Sequence, residues 1–295
     1  IRHVAYPSDL HPYLKVREGV QLVTTPYCSI CADDDVVLLL GIRRCLRALD
    51  GRPDVCAAHG LYFNFSETES FNLSCIMYRG PSLLGEDPLT RLQQMFGAYE
   101  AVFYAVYRTP VLQSAFRRVG ELQTVLGREL VTAALTAVAG KIVRTEGFYY
   151  GRNTGESLSY ENWHPYQILV NSPSLLFDEF RRLREIVLEE LVPVQGGGPK
   201  GDDIETILDL VFLRYLLPYL RFDVVDRIIA DRLNGMDTAA AFERLWNVLV
   251  RRGARPRPPV EPLMGRDGEG FAPDLFREGD RWRDYVLPSR TARDE

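Results

Sequence analysis

Three consecutive carboxylates, Asp33, Asp34 and Asp35, close the apolar stretch Thr24-Thr25-Pro26-Tyr27-Cys28-Ser29-Ile30-Cys31-Ala32. Adjacent anions repel one another, and at the end of a buried strand they also lose solvation, so such a run calls for a compensating positive charge. Mg²⁺ and Mn²⁺ are hard cations that prefer carboxylate oxygens, and Mg²⁺ is commonly held by one or two carboxylates together with substrate phosphates. Read as the end of a strand, the triplet puts Asp33 and Asp35 on one face and Asp34 on the other, a two-pronged metal clamp. The alternative is a solvated acidic turn. Val36 to Leu46 follows as a helix-like segment, and ligands of open α/β sheets bind beyond the carboxyl ends of strands.

Thr25-Pro26-Tyr27, the apolar run, Asp33-Asp34-Asp35, a helix and then Pro53-Asp54-Val55-Cys56-Ala57-Ala58-His59-Gly60 resemble the central segment of metal-dependent, nucleotide-sugar glycosyltransferases of the GT-A fold. Phe103 to Thr109, and Gly127-Arg128-Glu129-Leu130 followed by Gly140-Lys141, extend the similarity to about residue 165, in an order similar to one bacterial glycosyltransferase domain family. The resemblance implies a DXD element in which Asp33 and Asp35 hold Mn²⁺ or Mg²⁺ and Asp34 contacts the ribose or sugar of a nucleotide-diphosphate donor. It implies a hydroxyl acceptor, whether glycan, lipid-linked or small molecule. Inverting members place an acidic base near the start of a helix after the acceptor region, and Glu129 matches best; the other reading is a solvated helix carboxylate. His164, beside Trp163, matches the late histidine that serves some members as a further metal ligand, or else it forms a packed corner or sugar platform. The strands with a Pro-Thr-x-Asn-Arg-like signature, which would precede Ile1, are not in the sequence. The resemblance therefore also admits a fragment, a donor base held differently, or a non-catalytic scaffold or binding module.

Outside the resemblance, Arg152 lies in Gly151-Arg152-Asn153-Thr154-Gly155-Glu156-Ser157, a loop in which a guanidinium could meet donor phosphates or simply solubilise the surface. His59 falls within a strand and reads as a hydrogen-bonded structural histidine rather than a ligand. Cys28-x-x-Cys31 lacks a second pair to complete a zinc tetrahedron and reads as small buried side chains. GxGxxG, P-loop, Gly-x-Ser-x-Gly and His-Glu-x-x-His motifs are absent, which removes the common dinucleotide, NTPase, hydrolase and zincin readings.

The elements that must position these groups follow from periodicity. The 295 residues, 46% hydrophobic and 25% charged, suffice for one large or two modest domains. A net charge of -5 lacks the basic footprint of a nucleic-acid binder, so no nucleic-acid partner is expected. No run approaches the roughly 20 apolar residues of a transmembrane helix. Five cysteines, an odd number without a visible secretory signal peptide, predict reduced thiols and a cytoplasmic protein. Strands are expected at Ile1 to Pro7, up to Cys31, Val55 to Phe65, Cys75 to Tyr78, Ala101 to Arg108 and Lys141 to Tyr150. Helices are expected at Leu38 to Leu49, Pro88 to Tyr99, Thr109 to Val119 and Leu122 to Val138. The expected fold is α/β: a GT-A-like, Rossmann-like domain over 1–170 with a mixed, mostly parallel sheet and flanking helices. A helical region at 171–252 and a Pro/Arg-rich charged tail at 253–295 follow. Wide apolar faces on the helices beyond Pro173 suggest a homo-oligomer.

Overall fold

A computed structural model describes residues 3–67, 71–154, 165, 168, 172–191, 201–216 and 235. In chain order the elements are α1 (Pro12–Gln21), β1 (Tyr27–Ser29), β2 (Val36–Val37), α2 (Leu39–Leu49), β3 (Val55–Glu67) and β4 (Phe71–Met77). Then come α3 (Pro88–Gly97), β5 (Val106–Arg108), α4 (Thr109–Arg117), a 3-10 turn at Val119–Glu121, α5 (Val125–Ala139) and β6 (Lys141–Asn153). Two further helices, α6 (Pro173–Leu191) and α7 (Gly201–Leu216), complete the described chain.

The fold is mixed α/β, with six strands in one mixed sheet of order β1-β5-β3-β6-β2 and β4 paired to β3. Among the described residues, parallel pairing is confined to β3 and β6; β1 with β5, β2 with β6, and β3 with β4 and β5 all run antiparallel. The expectation of a mostly parallel sheet is corrected accordingly. Only the βαβ-like path from β3 to β6 brings two long strands back in the same direction, whereas short strands such as β1, β2 and β5 return antiparallel, which needs no long crossover. The long strand β3 is central. It has β6 along one side and, on the other, β5 opposite Ala57 and Ala58 and then β4 from Tyr62 onward.

Two cores lie on the two faces. One buries Leu92, Phe96, Phe116, Leu130, Phe180 and Phe212 among α1 and α3 to α7; the other packs α2, through Cys45 and Leu49, onto Ala58, Tyr62, Tyr149 and Tyr150. Helices α6 and α7 share the first core with α3 and α5. On the opposite face, α2 lies directly on β6. A Cβ at Gly41 would stand 2.6 Å from the Tyr149 Cα, so only glycine allows this approach.

Local signals explain the remaining differences from expectation. Residues 3–7 form no strand, and the segment before β1 is instead the helix α1, started by Pro12 at its first turn and by the His11 ring, which accepts from the Tyr13 N–H at 3.2 Å. Strand β5 begins only at Val106, because Val102 to Ala105 is a turn closed by the Ala105 N–H on the Val102 carbonyl. At the other end β6 runs through Asn153, three residues beyond the expected strand. Helix α3 starts at Pro88, where the Asp87 carboxylate caps it by accepting from the Thr90 N–H at 2.8 Å.

Candidate functional site

Strand β1 ends at Ser29, so the three aspartates stand in a turn rather than on a strand, closed by the Asp35 N–H on the Ala32 carbonyl. The two-residue alternation expected to pair Asp33 with Asp35 has no strand to act through. Asp33 and Asp34 are exposed; Asp35 is half-buried and fixed. One oxygen of Asp35 accepts from the Tyr150 hydroxyl at 2.6 Å and the other from the Asn153 N–H at 2.8 Å, while the Ala32 N–H donates back to the Tyr150 oxygen at 3.3 Å. The doubled tyrosine of β6 thus ties the acidic turn to the sheet. Burial, and next the hydrogen bond to Asp35, push the Tyr150 hydroxyl far above the usual tyrosine range, so it remains a donor.

From Tyr150 a row of aromatic rings crosses the end of the sheet. Tyr104 stacks on Tyr150 with centroids 4.5 Å apart, Tyr62 lies 5.2 Å from Tyr150, and Tyr78 lies 4.1 Å from Tyr62. The buried Tyr62 hydroxyl has no hydrogen-bond partner among the described residues. Tyr78, at φ 57°, is the one described non-glycine residue with positive φ, a strain that aromatic residues adopt only where their surroundings enforce it. Two residues on, the Gly80 N–H donates at 2.7 Å to Glu100, whose carboxyl burial raises.

Several of the predicted residues act electrostatically on this row. Burial first, then Asp35, Glu129 and Asp34, push the Tyr104 hydroxyl up to about 12, against the opposing effect of Arg152. Glu129 is half-buried on α5 and accepts from the Tyr99 hydroxyl at 2.9 Å. Its charge also raises Tyr13 and Tyr78, after burial has done so. Glu129 is therefore not on a solvated helix face: it is half-buried and paired with Tyr99, from the segment just after α3. Arg152 is exposed and sits within β6 opposite Asn64 rather than in a loop, because the strand extends past it.

No family model matches the chain, and no curated protein matches it.

The fit to a cation rests on the residues themselves. Among the described residues no three His, Cys, Asp or Glu side chains converge into a ligand set. A carboxylate nevertheless offers more acceptor positions than the single hydrogen bond each Asp35 oxygen accepts, and Asp33 beside it is open to solvent. One or two carboxylates completed by substrate phosphates suit Mg²⁺, and hydrogen bonds such as those on Asp35 commonly orient metal-bound carboxylates. The acidic turn thus offers carboxylate oxygens of the kind hard divalent cations prefer, without a complete protein ligand set among the described residues. His164 lies outside the described residues. His59 is buried, with its ring 3.1 Å from the Gly60 carbonyl oxygen, and burial lowers it to about 4, as suits a neutral structural histidine. Cys28, Cys31, Cys45 and Cys56 are free thiols; Cys31 is exposed, not buried as expected, because the chain has left the sheet by then.

Sequence reasoning missed the tyrosines. Tyr78, Tyr104 and Tyr150 read as strand formers, and no periodicity brings them together. The one available signal was their recurrence at the ends of the strand segments that the acidic turn also borders.

Proposed function

We propose that this chain transfers a sugar from a nucleotide-diphosphate donor to a hydroxyl acceptor, using Mn²⁺ or Mg²⁺, on a GT-A-like domain in the cytoplasm. The observation that carries the reading is the attachment of the acidic turn to the end of β6, where the Tyr150 hydroxyl and the Asn153 N–H hold Asp35 one residue from the exposed Arg152. In this reading Asp33 and Asp35 hold the cation, with Asp35 oriented by Tyr150 and the Asn153 N–H. The cation, when bound, supplies Lewis-acid stabilisation of the departing diphosphate. Asp34 contacts the ribose or sugar, and Arg152, exposed at the end of β6, pairs with donor phosphate oxygens. His164 is the candidate third ligand. Glu129 takes the proton from the acceptor hydroxyl as it attacks with inversion, and its pairing with Tyr99 fixes the direction of its carboxylate. The helices beyond Pro173 serve acceptor recognition or self-association.

Calorimetric titration with a nucleoside diphosphate, with and without Mn²⁺, tests the donor site. Binding should require Mn²⁺ and should vanish in the Asp33→Asn/Asp35→Asn double variant while its melting temperature holds; equal affinity in the variant removes the site. For the base, Glu129→Gln should lower turnover by roughly 10²–10⁴ and leave diphosphate affinity within a few-fold. A product with retained anomeric configuration removes the need for such a base.

One observation favours a second reading, a non-catalytic binding module. Both oxygens of Asp35 already accept hydrogen bonds from β6, which is what an aspartate that merely pins its turn would do. A module of this kind shows no Mn²⁺-dependent diphosphate binding.

A further inference from the structure

The largest exposed apolar side chains are not scattered. Val36, Leu39, Leu40 and Phe148, at 39%, 75%, 64% and 37% exposure, are four of the eight exposed large hydrophobics among the described residues, and they come from one five-residue stretch and from β6, with which that stretch pairs. The first turn of α2 rests on β6 there, since a Cβ at Gly41 would stand 2.7 Å from the Phe148 carbonyl oxygen. A Cβ at Gly151 would stand 2.6 Å from the Val36 side chain and would also meet Phe63, whose ring meets Phe148 edge-on at 5.6 Å. The Arg44 guanidinium lies over Gly147, beside Phe148. Scattered apolar residues need no explanation, but a contiguous patch marks an interaction surface.

Its charge says what kind. Helix α2 reads LLGIRRCLRAL: Arg43, Arg44 and Arg47 are exposed, and the helix has no acid, although the whole chain carries -5. Helical spacing puts Arg43 four residues behind Leu39 and Arg44 four behind Leu40, so each guanidinium stands one turn, about 5.4 Å, behind an exposed leucine. A leucine tip followed by a band of arginines matches the layers of a bilayer surface. Apolar groups of interfacial helices bury roughly 5–10 Å into the headgroup and acyl boundary, and cations behind them reach lipid phosphates. Asp33 and Asp34 on the preceding turn and Glu146 on β6 are exposed acids bordering this region, so the three arginines are needed to make the face attractive to anions. A protein partner would have to match three guanidiniums with fixed carboxylates; an anionic membrane offers phosphate at every lateral position. No helix among the described residues is long and apolar enough to cross a membrane, so the contact is peripheral.

We propose that the surface formed by Val36, Leu39, Leu40 and Phe148, with Arg43, Arg44 and Arg47 behind it, docks the protein onto an anionic lipid membrane. This inference is independent of the sugar-transfer reading. Co-sedimentation of the full chain with phosphatidylcholine vesicles, alone and mixed with phosphatidylglycerol, tests it at low and high salt. The wild type should bind the mixed vesicles, and less so at high salt. Leu39→Ser/Leu40→Ser should lower binding by about tenfold, and Arg43→Gln/Arg44→Gln/Arg47→Gln by on the order of a hundredfold, from roughly 1 kcal/mol per arginine near an anionic surface. Both sets replace exposed side chains, and circular dichroism with thermal melting checks that each variant is folded. Wild type that stays in the supernatant overturns the proposal, as does equal binding by the folded variants. A leucine variant that instead converts a dimer to a monomer on size exclusion also overturns it and assigns the patch to a second copy.

Discussion

The two faces of the sheet bury polar groups to different ends. On the helical face the charged groups are consumed by architecture. Glu179 of α6 accepts from the N–H groups of Gln123 and Thr124 and from the Thr124 hydroxyl, closing the start of α5; Arg91 of α3 donates to the carbonyls of Ala137 and Val138 at its end. Arg184 meets the buried Asp209 at 2.9 Å across the α6–α7 seam. On the α2 face and at the end of the sheet, most of the polar atoms belong to tyrosines, and a strained backbone sits at Tyr78; the Tyr62 hydroxyl there, like that of Thr109 on α4, is buried without a hydrogen-bond partner among the described residues. Satisfied ionic caps fix a structure, whereas unsatisfied hydroxyls, strain and clustered carboxylates are costs retained at sites. In the proposed reading, chemistry sits at the tyrosine end and stability in the helices.

That division fails first if the helical core proves dispensable. Phe180 of α6 stacks on Phe212 of α7 at 3.9 Å and is 5% exposed. Phe180→Ala should cost about 4 kcal/mol in chemical denaturation, through lost burial and the cavity left behind. A change below about 1 kcal/mol would show that α6 and α7 are loosely docked and that the stability lies elsewhere.

Next in size is a pH effect on the other face, where His59 meets Tyr62 edge-on at 6.2 Å. Burial depresses this histidine from 6.5 to about 4. The fold therefore favours the neutral ring: its contribution is complete above pH 6.5 and is lost as pH falls through about 4. The shift corresponds to about 3 kcal/mol. Urea titrations at about pH 7 and about pH 4 should show the acid loss of stability shrinking by roughly that amount in His59→Gln. An unchanged loss would mean that the ring protonates without strain.

Smaller again is Glu179→Gln, which keeps the shape but turns an amide toward donors. It should lower stability by about 2 kcal/mol, read from the same titrations, and leave ligand binding at the tyrosine end unaltered. A loss of binding at that end would couple the two faces.

Much of the helical scaffold was legible because a helix writes its buried face at 3.6-residue spacing: α2, α3 and α5 were expected within a few residues of their observed ends. Strand direction was not legible, since pairing depends on partners far along the chain, and β1, β2 and β5 are too short to carry a pattern of their own. Helix α1 was not foreseen because Pro12 and His11 make an uncommon cap. In the site, the acidic turn was visible as three adjacent carboxylates. The tyrosine row was not, because Tyr62, Tyr78, Tyr104 and Tyr150 come from β3, the end of β4, the turn before β5 and β6, and meet only through the sheet.

The finest division between the two faces lies in one hydroxyl. Tyr150 donates to Asp35 and accepts from the Ala32 N–H, so Tyr150→Phe cuts the acidic turn from β6 while the ring keeps its stacking on Tyr104. If the bond serves the fold alone, the variant loses about 1 kcal/mol of stability, the usual net worth of a hydrogen bond, and nothing else changes. If it orients a metal-binding carboxylate, Mn²⁺ affinity in the presence of a nucleoside diphosphate also falls, by about 10-fold or more, as losses of such outer hydrogen bonds do. Calorimetry on the folded variant separates the two, because Asp33 and Asp34 are left untouched and the total charge of the turn is the same. A tenfold loss of Mn²⁺ affinity with little loss of stability would assign the tyrosine end to ligand binding; a stability loss with unchanged affinity would return Asp35 to the architecture, beside Glu179.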